Sequence, residues 1–68
     1  MQFVELDEEK FGRKVWVNPQ YIVTALSHEE TTTSLYIQPH IPQAERGWLT
    51  VKGSLADVAK KINAAMKA

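Results

Sequence analysis

The sequence has 68 residues, 44% of them apolar, with eight Lys plus Arg against eight Asp plus Glu. That length allows one small domain that hides about 60% of its surface in a thin core, and zero net charge is not the basic excess of a general nucleic-acid binder. The absence of cysteine excludes disulfides, thiolate metal sites and a cysteine nucleophile, so core burial or self-association must hold the chain together.

Residues 2–7 alternate, with Val4 and Leu6 on one side and Phe3 and Glu5 on the other, as a short strand does. Asp7 to Gly12 follows as a polar turn. A second strand at 13–17 sets Val15 and Val17 against Trp16, and Asn18-Pro19 stops it. Residues 21–26 are rich in β-formers and make a third strand. Ser27 to Thr31 is expected as a polar connection. The fourth strand, 32–38, turns Leu35 and Ile37 inward and Ser34, Tyr36 and Gln38 outward. Pro39 to Gly47 is a loop whose prolines deny it ladder hydrogen bonds. The fifth strand, 48–52, has Leu49 and Val51 on the core side, and Gly53 ends it.

A helix is expected over 55–67. Ser54 is a good N-cap, with Asp57 placed to complete a capping box. Leu55, Val58, Ala59, Ile62, Ala65 and Met66 form one apolar stripe. The fold class read from this order is α+β. A five-stranded antiparallel β-meander carries one C-terminal helix on one face, in a single domain spanning 1–68.

Alternation then points Trp16, Tyr36 and Trp48 away from the helix, onto a sheet face it cannot cover. Each ring brings roughly 150–250 Å² that favours burial. Either the Pro39–Gly47 loop, with Ile41, folds over them, or they form a contact surface for a protein partner or a second copy, or nucleic-acid bases stack on the rings. The Lys60–Lys61 pair is the only basic cluster with reach, joined by Lys52 and Lys67; the three on the helix read as its exposed polar face, and together the four define an alternative function as a nucleic-acid-binding module.

No catalytic residue, metal site or cofactor is expected. His28 and His40 lack partners at metal-ligand spacing. Glu8-Glu9 and Glu29-Glu30 read as solvated turn charge, and Ser27 beside His28 has no orienting acid. The apolar runs fall far short of the roughly 20 residues of a membrane span, and Met-Gln-Phe-Val-Glu does not open like a signal peptide. Cytoplasmic placement, with no membrane insertion, is the expectation.

Gly12, Val15-Trp16-Val17-Asn18-Pro19 with Ile22 after it, Leu49-Thr50-Val51 and the Val58–Ile62 helix stand in an order that resembles the small flagellar FlbD and swarming-motility SwrD family. Pro39 to Gly47 departs from that family's tight turn before the last strand. The resemblance implies a non-catalytic accessory role in motility. Trp48 to Leu55 also looks like the strand-to-helix passage of LytTR DNA-binding domains, but covers at most half of one. The His-Arg-Ser type segment of those domains has no counterpart, so no DNA contact carries over. The function expected is that of a small bacterial or phage accessory protein acting through protein–protein contact, with Trp16, Tyr36 and Trp48 as anchors.

Overall fold

The computed structural model describes residues 2–39 and 46–68. The fold is α+β: the described residues form five antiparallel strands and one C-terminal helix. β1 (Val4–Asp7) and β2 (Lys14–Val17) form a hairpin in which Val4 faces Val17 and Leu6 faces Val15. A 3-10 turn, Pro19–Tyr21, follows. β3 (Ile22–Glu29), β4 (Thr32–Ile37) and β5 (Trp48–Lys52) form a three-stranded antiparallel sheet, and α1 spans Leu55–Lys67.

The strands do not form one continuous meander, because the chain is redirected at Asn18-Pro19. The Asn18 side chain accepts from the Gln20 N–H at 3.0 Å, and its carbonyl accepts from the Tyr21 N–H at 3.0 Å. This turn separates β2 from β3, and the two sheets meet elsewhere. Past Asp7 the first strand runs on, so that Glu8 bridges Val51 and the Glu9 N–H donates to the Thr50 carbonyl at 3.0 Å. The hairpin is thus stitched to the free edge of β5.

Period-two alternation places the core as expected. Val4, Leu6, Val15, Val17, Leu35, Ile37, Leu49 and Val51 are all buried, with Val58 and Ala65 from α1. Ile62 packs against this cluster, following Val58 by four residues and preceding Ala65 by three. Met66, expected in the stripe, is exposed. It lies about 80° around the helix from Val58, at the stripe's edge. The Ser54 hydroxyl caps the helix by accepting from the Asp57 N–H at 3.2 Å. Just before it, Gly53 has φ +118 and its Cα lies against Val58, where a Cβ would stand 3.2 Å from Cγ2. Only glycine takes that turn without strain.

The largest boundary difference from the sequence reading is in β3. β3 runs to Glu29, leaving Glu30-Thr31 as the connection to β4. Among the described residues β3 is paired on one side only, so polar residues such as Ser27 and His28 remain exposed within it. The reading of Ile41 as a cap over the aromatic face, and that of His40 as a solvated loop residue, fall outside the described residues.

Candidate functional site: the open face of the three-stranded sheet

Directly opposed residues of an antiparallel sheet share a face. The register therefore lays out three rows on the outward side of β3, β4 and β5: Thr24–Tyr36–Trp48, Leu26–Ser34–Thr50 and Glu29–Thr32–Lys52. The inward side carries Ala25, Leu35 and Leu49. Two irregularities in β3 produce this arrangement. Register shifts between Ile22 and Thr24 and between Ser27 and Glu29 leave Val23 and His28 as extra residues, each resetting the alternation.

In the first row the rings of Tyr36 and Trp48 touch, with centroids 5.1 Å apart and planes tilted by 55°. This is within the favourable range for an aromatic pair. The Tyr36 hydroxyl accepts from the Gln38 amide at 2.6 Å, which fixes the ring's direction. Trp48 remains 39% exposed and Leu26, in the next row, 50%. Beside Leu26, the Ser34 and Thr50 hydroxyls lie 3.4 Å apart. In the last row the His28 ring nitrogen Nδ1 sits 3.0 Å from the Thr32 hydroxyl and 3.7 Å from the Glu29 carboxylate.

Of the three aromatic residues singled out from the sequence, Tyr36 and Trp48 are brought together and Trp16 is not. Trp16 lies opposite Glu5 on the hairpin, 66% exposed, and touches neither ring. The basic candidates are also divided. Lys52 ends the open face, whereas Lys60, Lys61 and Lys67 are exposed along α1. Lys61 borders a shallow groove of about 260 Å³ with Phe3 and Glu5. A hydrogen bond from Lys14 at 3.0 Å, with its charge, holds the Asp7 carboxyl below its usual range, and Lys61 and Lys52 add to the effect. Of the four lysines, Lys52 and Lys61 thus share the neighbourhood of a carboxylate, which weakens the field those two present to phosphate.

Glu8 is not solvated turn charge. Because β1 continues to the bridge with Val51, Glu8 points inward and is buried, its carboxylate 2.7 Å from the Arg13 Nε. Arg13 lies over the Phe11 ring at 5.0 Å, with Lys10 at 5.4 Å. The Glu8 N–H donates to the Arg13 carbonyl at 2.7 Å, closing the loop between β1 and β2. Glu29 ends β3 rather than lying in a turn; Glu30 does lie in the turn, exposed.

Among the described residues no three His, Asp or Glu side chains are grouped as a metal site requires. No described helix is long and apolar enough to cross a membrane. The resemblance to the FlbD and SwrD proteins rests on its motif residues alone. Compared with known proteins, the chain matches no family model, no curated sequence and no solved structure.

Proposed function

We propose that the protein is a non-catalytic binding module that works by protein–protein contact through the open face of its three-stranded sheet. The observation that carries this reading is the touching Tyr36–Trp48 pair, held across β4 and β5 with Leu26 exposed in the adjoining row. Aromatic residues are favoured at the centres of protein interfaces, where a few of them supply most of the affinity. Covering what remains exposed of Trp48 and Leu26 is worth about 2 kcal/mol for each side chain. Ser34 and Thr50 beside them offer hydroxyls for hydrogen bonds, and Glu29 and Lys52 form a charged rim. Trp16 stands apart from this surface.

Oxidative footprinting of the protein in association, at high concentration or with a captured protein partner, tests this reading. Trp48 and Tyr36 are expected to lose most of their reactivity while Trp16 keeps its own. Protection of Trp16 and Phe3 with Trp48 still reactive would place the contact on the hairpin and overturn the proposal. Protection of Trp48 by an oligonucleotide, lost steeply with salt, would replace protein with nucleic acid as the ligand.

A further inference from the structure

The open face carries a charge pattern complementary to itself. From that pattern, and resting on the reading of this face as a protein contact, we infer that its occupant is a second copy of the chain, stacked face to face about a two-fold axis running along β4. In the last row Glu29 stands on β3 and Lys52 on β5, both exposed, with Thr32 between them, buried beside the His28 ring. A half-turn about an axis parallel to β4 exchanges the positions of β3 and β5 and keeps every row over itself. Glu29 then meets the partner's Lys52, and Lys52 meets the partner's Glu29. Tyr36 meets its own equivalent at the centre, Trp48 lies over the partner's Thr24, and Leu26 lies over the partner's Thr50. An axis running across the strands would instead lay the charged row over Thr24, Tyr36 and Trp48, leaving each charge without a counter-charge.

Three further features fit this occupant. Among the described residues, Lys52 makes no ion pair within its own chain, and the close contact of Glu29 is a histidine ring. Zero net charge sets no long-range repulsion between copies. The bulges at Val23 and His28 interrupt the free edge of β3, which disfavours edge-to-edge strand addition and leaves the face as the route to pairing.

Aligned sheets pack about 10 Å apart with their strands within about 30° of each other. Strands spaced about 4.8 Å apart, each covering about 20 Å, give a face some 14 by 20 Å. That is smaller than the roughly 800 Å² each partner gives to a stable complex. The association is therefore weak, in the micromolar range or above, and its rim charges carry a readable share.

Sedimentation analysis of Glu29→Lys and Lys52→Glu, alone and mixed, tests the arrangement. In a homodimer of either variant like charges face each other at both rims, so each is expected to pair at least about tenfold more weakly than the natural chain. An equimolar mixture restores two opposite-charge pairs and should return association to near the natural level, with far-UV circular dichroism unchanged. High salt should narrow the differences. Variants that pair as well as the natural chain, or a mixture that fails to recover, would overturn the two-fold arrangement while leaving the footprinting result for the face intact. A natural chain that stays monomeric while another protein protects Trp48 would overturn the second copy as occupant and keep the face.

Discussion

Leu35→Ala is expected to lose about 2–5 kcal/mol, the range for emptying a fully buried leucine site. A 68-residue domain has only about 3–10 kcal/mol in total, so the variant should be largely unfolded at room temperature or melt far below the natural protein. Leu35 is wholly buried on the central strand, with Ala25 on one side and Leu49 on the other. No smaller neighbour can collapse into the space without disturbing both flanking strands. Leu26→Ala is the control, because the residue lies on the same sheet but on its open face, and it should cost under about 1 kcal/mol. Urea denaturation separates the two. Equal effects at both positions would mean that the two faces are not distinguished as described.

The second large effect is at the Glu8–Arg13 pair. Arg13→Ala removes the only ion-pair partner of a carboxylate whose side chain is 4% exposed, among the described residues. Arg13 itself is 56% exposed, so solvent screens part of the interaction. The expected loss is about 2 kcal/mol, arising mostly from stranding a buried charge rather than from losing attraction. Combining Glu8→Leu with Arg13→Ala should recover most of that loss, because no charge then remains buried. A double-mutant cycle measured by urea denaturation checks it. If the double variant is no more stable than Arg13→Ala, the guanidinium stabilises the loop by packing on Phe11 and not by neutralising Glu8.

Where one residue's alternation decided its environment, the sequence was legible. The eight inward strand residues, the Ser54 cap and the outward turn of Tyr36 and Trp48 all follow from period two or period 3.6. What could not be read depended on pairing between distant segments. Trp16 obeys the same alternation as Tyr36 and Trp48, yet it belongs to a different sheet, because Asn18-Pro19 redirects the chain instead of closing a hairpin. Glu8 stands in a polar run that reads as a turn, and only its bridge to Val51, far along the chain, turns it inward. Leu26 and Glu29 joined the face through bulges at Val23 and His28, and a bulge leaves no sign in a hydropathy pattern. The charge complementarity of the open face was therefore invisible until the register was known.

Sedimentation equilibrium of the natural chain and of Trp48→Ser, across a concentration series at low and high salt, tests the open face most directly. A concentration-dependent dimer is expected for the natural chain, weakened but not abolished by salt, since its centre is apolar and only its rim is charged. Trp48→Ser, still folded by circular dichroism, should remain monomeric over the same range. A natural dimer left unchanged by Trp48→Ser would contradict the assignment of this face as the contact surface.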